Sequence, residues 1–265
     1  MCSTPAQLPS LSWLEDPAVF AVNRLPAHSD HRWTVGGREL RQSLDGEWRF
    51  ACSPAPAARP AWFWQEGADL SGFGAIQVPG HIELQGWGHP QYTNVSYPWD
   101  GRRDLRPPCI PWDDTPVGSY VRDFVLDPAL AGGRVCVSFQ GVEQAFYLWC
   151  NGRFVGYSED SFTPADFDLT GFLREGENRL CVEVYKHCSG GWLEDQDFFR
   201  FFGIFRPVFL YAKPGAHIEG LWVGAGLGGG EASFPGGGGL MERPLKPYEG
   251  LFREKGVAWK LEDNV

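Results

Sequence analysis

The chain has 265 residues, enough for one large domain or two small ones, and 43% of them are hydrophobic, an ordinary share for a globular protein. A net charge of −10, with no run of five basic residues, argues against a nucleic-acid surface. No stretch reaches the roughly 20 apolar residues of a membrane helix, and the first seventeen residues, MCSTPAQLPSLSWLEDP, lack the charged and apolar regions of a signal peptide.

Twelve Trp and nineteen Phe stand against two Met, in a chain rich in Gly and Pro. Aromatic and β-branched side chains suit a pleated, half-buried surface, so the composition leans towards β structure. The seven cysteines are an odd number without a CxxC, and Cys136, Cys150 and Cys181 lie inside apolar runs. They read as small core hydrophobes, and the chain as cytoplasmic.

In chain order, strands are expected at Leu44–Cys52, Ala75–Val78, Ser119–Leu126 and Arg134–Phe139. The alternating β-branched residues of RVCVSF predict one face more deeply buried than the other. AFYLWC-NG-RFVGYS is a hairpin signal, because Asn151 and Gly152 both tolerate the positive φ of a type I′ turn. Further strands are expected at Arg179–Tyr185 and Ile204–Tyr211, the second at an edge or bulge because of Pro207. Eight or so short strands predict an all-β jelly-roll sandwich. Ser53–Gly74 and Trp99–Pro116 read as long excursions of the kind that carry function or pack on a neighbour. The expected divisions are an extended segment over 1–40, the jelly-roll domain over 41–223 and a Gly-rich tail over 224–265. GAGLGG in the tail fits GxGxxG formally, but no helix pattern starts there.

Few residues carry chemistry. GxSxG, HxxxH and HExxH are absent, and each of the six histidines reads as structural or surface. In WLEDQDFFRFFGIFR, Asp195 and Asp197 stand roughly 6.6 Å apart on one side of an extended chain. They can pinch a cation but cannot flank a sugar ring as the two acids of a glycosidase do. Two readings remain: carboxylates for Na⁺, Mg²⁺, Ca²⁺ or sugar hydroxyls, or ion pairs from Glu194, Asp195 and Asp197 to Arg200 and Arg206 above a phenylalanine core. In VPGHIELQGWGHPQYTNVSYP, Trp87, Tyr92, Asn94 and Tyr97 are residue types that stack on sugars and bind their hydroxyls, or that cap a sandwich core.

These stretches share a resemblance. QSLDGEWRF, GHPQYTNVSYP, GVEQAFYLWCNGRFVGYSEDSFTPADFDLTGFLREGENRLCVEV and WLEDQDFFRFFGIFRPVFL, in this order, resemble the N-terminal sugar-binding domain of glycoside hydrolase family 2 β-galactosidases of the large bacterial type, retaining hydrolases of terminal β-D-galactosides such as lactose. The resemblance covers roughly Leu11 to Val223, with SWLEDPAVFAVNRLPAHSD similar to a leading segment at a subunit interface. It implies that Asn94 of YTNV and Asp197 of EDQD contact the galactosyl group, and that Asp197 also binds Na⁺. A Mg²⁺ site of some members has acids where this chain has Trp13 and Ser189, so no Mg²⁺ is expected. The family's catalytic glutamates lie in a TIM barrel of about 250 residues, far more than follow Tyr211 here. The expectation is a chain truncated before its barrel, with no catalytic residue of its own, binding a β-galactoside together with that barrel or other subunits. A stand-alone carbohydrate-binding module and a complementing fragment are the alternatives.

Overall fold

The computed structural model describes residues 8–27, 34–94, 99, 105–194 and 197–215, together with two short strands between 226 and 233. Strands β1 (Ala21–Val22), β2 (Thr34–Val35), β3 (Arg38–Glu39), β4 (Arg41–Ser43), β5 (Gly46–Ser53), β6 (Gly74–Val78) and β7 (Gln91–Thr93) come first. The middle of the chain supplies β8 (Val117–Val125), β9 (Arg134–Phe139), β10 (Val142–Glu143), β11 (Ala145–Cys150), β12 (Arg153–Ser158), β13 (Ala165–Asp168) and β14 (Glu177–Tyr185). The last are β15 (Phe198–Arg200), β16 (Gly203–Ile204), β17 (Val208–Lys213), β18 (Gly226–Gly228) and β19 (Glu231–Ser233). Helical structure among the described residues is confined to short 3₁₀ turns.

Two antiparallel sheets carry the domain, in the orders β1-β12-β11-β14-β8-β5-β6 and β13-β9-β17-β4. Their inner faces share one core. Phe50, Tyr120, Phe146, Leu148, Val182 and Val184 of the large sheet meet Val137, Phe139, Phe167, Val208 and Leu210 of the small one. This is the sandwich expected from the sequence, and burying its apolar inner faces is the main driving force for the fold.

The large sheet has a second buried face. Along β11, Phe146, Leu148 and Cys150 enter the core between the sheets, while Ala145, Tyr147 and Trp149 point outwards into another apolar cluster. That cluster is closed by Trp13 and Leu14 of the N-terminal segment, by Phe63 and Trp64 of the first excursion, and by Ile110 of the second. Trp64 stacks on Trp149 at 4.3 Å between centroids. Every residue of β11 is therefore buried, which explains the continuous apolar run AFYLWC.

Two sequence expectations change. The strand RVCVSF is buried on both faces: Cys136 packs outside with Phe209, Tyr211 and Leu25. Pro207 lies between β16 and β17, and β17 is an interior strand, paired with β9 on one side and β4 on the other. The proline interrupts the chain instead of marking a sheet edge, so all six residues of β17 remain free to pair. The NG turn is as expected, with φ of 50° at Asn151 and 77° at Gly152. Cys136, Cys150 and Cys181 are buried and free, and burial pushes their thiols up to about 11, about 12 and about 12. Cys2 and most of the tail lie outside the described residues.

Candidate functional site

Asn94 and Asp197 are 103 residues apart in sequence, but one ladder brings them together. Strand β7 pairs antiparallel with β15, in the register Gln91↔Arg200, Tyr92↔Phe199 and Thr93↔Phe198. Continued by one position past the end of both strands, that register would put Asn94 opposite Asp197. Opposed Cα atoms in such ladders are about 4.5–5.5 Å apart. Both residues are exposed.

Asp197 is tethered within this small sheet: the Tyr92 hydroxyl donates to its Oδ1 at 2.7 Å. That bond to the carboxylate raises the Tyr92 phenol above its ordinary value. The Tyr92 ring leans on Phe199, 5.4 Å away, and Phe199 stacks on Phe201. Phe201 continues to His81, whose ring lies nearly parallel to Phe205 at 5.1 Å. Beyond it come Phe162 and Phe198. An aromatic ridge thus borders the Asn94–Asp197 end of the ladder, with Tyr92, Phe162 and Phe199 each about half exposed. Trp87, by contrast, sets its ring edge-on to Phe50 at 5.2 Å and belongs to the core margin. Tyr97 and Asp195 lie outside the described residues.

The segment before Asp197 is pinned separately. Glu194 accepts from the Ser161 backbone N–H at 2.9 Å and the Ser161 hydroxyl at 2.6 Å. The Trp192 indole donates to the Cys109 carbonyl at 3.0 Å. Arg206 donates to the carbonyls of Phe162 and Gln140. A Glu194–Arg206 ion pair, as one reading of the sequence had it, does not form.

Beneath the ridge the two site-bearing segments share a charged root. The buried Glu83, in the loop leading to β7, accepts from Lys186 Nζ at 2.7 Å through Oε1 and from the Phe202 N–H at 3.1 Å through Oε2. The backbone N–H groups of Gly80 and Ile82 donate to the carbonyls of Ile204 and Phe202. Glu143, on β10, sits in the same neighbourhood. Burial, then the charges of Glu83 and Glu194, push its carboxyl up to about 8. Arg200 is lowered by burial, with the Glu143 charge opposing. None of these tethers has a sequence motif of its own, because each joins residues far apart in the chain.

The arrangement offers a ligand the exposed amide of Asn94 and the exposed carboxylate of Asp197. Among the described residues no group of three or more His, Cys, Asp or Glu could hold a metal ion. Ser189 bonds to Glu159 at 3.3 Å, while Trp13 stacks on Tyr147.

Comparison with known proteins agrees with this architecture. The model for glycosyl hydrolases family 2, sugar binding domain, matches residues 41–214. The chain belongs to glycosyl hydrolase family 2. Within this glycosyl hydrolase family, a β-galactosidase of Halalkalibacterium halodurans is 55% identical over 82% of this chain and 22% of its own length. A β-galactosidase large subunit of Latilactobacillus sakei is 49% identical over 81% of this chain and 37% of its own. The chain therefore spans well under half the length of these family 2 relatives. A solved β-glycosidase from Bacteroides vulgatus superposes with a TM-score of 0.55 at 20% identity, over 78% of this chain and 25% of that one, and shares the fold. Among the described residues no helix is long and apolar enough to cross a membrane.

Proposed function

We propose that this chain forms the sugar-binding wall of a β-galactosidase, with Asn94 and Asp197 contacting the galactosyl group and Asp197 also offering an oxygen to Na⁺. The observation that carries the reading is the β7–β15 register, from which both exposed polar residues emerge at the same end of one ladder, beside an aromatic ridge. Exposed aromatic rings beside hydroxyl-binding side chains are the usual furniture of a carbohydrate site. A carboxylate oxygen and an amide oxygen are hard donors suited to Na⁺, and the rest of its coordination shell would come from outside this sheet. Bond cleavage falls to groups in the part of the relatives' length that this chain does not span. The ridge, with Phe199 half exposed, is the surface that would meet that part or another subunit.

Two residues on one wall contribute little against the cost of association. The purified chain is therefore expected neither to hydrolyse a chromogenic β-galactoside nor to release heat with galactose or lactose at millimolar concentration. Hydrolysis would overturn the division of labour. Millimolar or tighter binding that Asp197→Asn abolishes would instead support a stand-alone module.

A further inference from the structure

We infer that Tyr92 is a positioning residue for Asp197: its hydroxyl fixes one carboxylate oxygen, so that Asp197 presents the other to a ligand. The ligand itself rests on the function proposed above; the tether does not. An exposed aspartate beside a strand end ordinarily samples several rotamers, and ordering it costs a ligand part of its binding free energy. Here the 2.7 Å bond from Tyr92 to Oδ1 commits that oxygen.

The tyrosine is braced to do this. Tyr92 is directly opposite Phe199 in the ladder, and its ring rests on that residue at 5.4 Å. Phe199 stacks on Phe201 at 5.5 Å with the planes only 13° apart, and Phe201 leans on His81 at 4.8 Å. This row of rings limits how far the phenol can swing. Tyr92 is 54% exposed, so burial of its ring does not account for a tyrosine at this position. What distinguishes it from phenylalanine is the one hydroxyl, and that hydroxyl is spent on Asp197. A buried tyrosine hydroxyl would be there to satisfy the core; this one satisfies a ligand-bearing side chain. Neighbouring positions on the register differ in kind: Gln91 faces Arg200 and Thr93 faces Phe198.

The test uses the 265-residue chain labelled with ¹³C at tyrosine Cζ, the Tyr92 signal being identified by its loss in Tyr92→Phe. At neutral pH the Tyr92 signal of the wild-type chain should stand apart from its position in Asp197→Asn, because that variant loses the carboxylate that accepts the 2.7 Å bond. An unchanged Tyr92 signal in Asp197→Asn would overturn the tether. Sodium chloride, with choline chloride as control, should move the Tyr92 signal of the wild-type chain, and Tyr92→Phe should weaken Na⁺ binding roughly threefold to tenfold, the range of one net hydrogen bond. Equal Na⁺ affinity in wild type and Tyr92→Phe would overturn the positioning role. A Tyr92 signal that moves in Asp197→Asn but shows no Na⁺ response at all would support the tether and count against the ligand reading of Asp197. The two failures are thereby distinguishable.

Discussion

Glu143 carries the largest consequence at the scale of single residues. Burial beside Glu83 and Glu194 pushes its carboxyl from 4.5 up to about 8 in the folded chain. The unfolded chain gives up that proton near the ordinary value, so between about pH 4.5 and 8 the folded state binds more protons. Its contribution is then fully present below that window and is lost as pH rises through it. Glu183, pushed up to about 7 by burial, acts in the same direction. His187 acts oppositely: burial, then the Lys186 charge, pushes it from 6.5 down to about 3, so its contribution is lost as pH falls through that lower window. Glu143→Gln should therefore flatten the decline of the urea midpoint between about pH 5 and 8. The same slope in variant and wild type would refute the assignment. The Lys186–Glu83 pair is a second single-residue case, with side chains 7% and 1% exposed. Lys186→Met leaves the Glu83 carboxyl buried without its cation, and should cost about 3–5 kcal/mol in chemical unfolding. Loss of under about 1 kcal/mol would mean that water reaches the pair.

Elements depend on close backbone approaches as much as on apolar patterning. At Gly156, in β12, an added Cβ would meet the Phe167 ring and the Val22 carbonyl, both at 2.5 Å. The carbonyl belongs to β1, which pairs with β12 and ties the N-terminal segment to the large sheet. Gly156→Ala should therefore destabilise the chain by about 1–3 kcal/mol, read as a lower melting temperature; an unchanged one would show that β1 is free to move aside. Much of this level was legible beforehand. The strands Arg134–Phe139, Ala145–Cys150 and Arg153–Ser158 fall where their β-branched and aromatic runs and the Asn151–Gly152 turn put them. What was not legible is non-local. RVCVSF alternates as if one face were more deeply buried than the other, but Leu25 packs on its second face, where Cys136 lies beside Phe209 and Tyr211 of the neighbouring β17. Pro207 reads as an edge or bulge signal, whereas it breaks the chain between β16 and an interior β17. At the site, Asn94 and Asp197 came from motif resemblance. Their juxtaposition comes from a three-residue ladder between segments about a hundred residues apart, which no local pattern encodes. The Tyr92 tether follows from that pairing, and the separate Glu194–Ser161 tether is as non-local and as invisible.

As a whole molecule, the described part of the chain is a sandwich whose large sheet is sealed on its outer side by segments outside the strands. Trp13, Phe63 and Ile110 close that side, and Arg59 reaches Glu183 there at 3.1 Å. The ridge from Tyr92 to Phe162 is different: Tyr92, Phe162 and Phe199 are about half exposed, and it borders the two polar residues proposed to contact the sugar. A binding wall with an exposed aromatic border fits a chain that matches only 22% and 37% of the length of its β-galactosidase relatives. The most direct test mixes this chain with a relative's β-galactosidase deleted of its corresponding N-terminal region and follows hydrolysis of a chromogenic galactoside. Activity should recover with the wild-type chain, with a kcat/KM about tenfold to a hundredfold lower for Asp197→Asn at equal complex formation, the range of a hydrogen bond to a charged group. Full activity with both Asp197→Asn and Asn94→Ala would contradict that expectation.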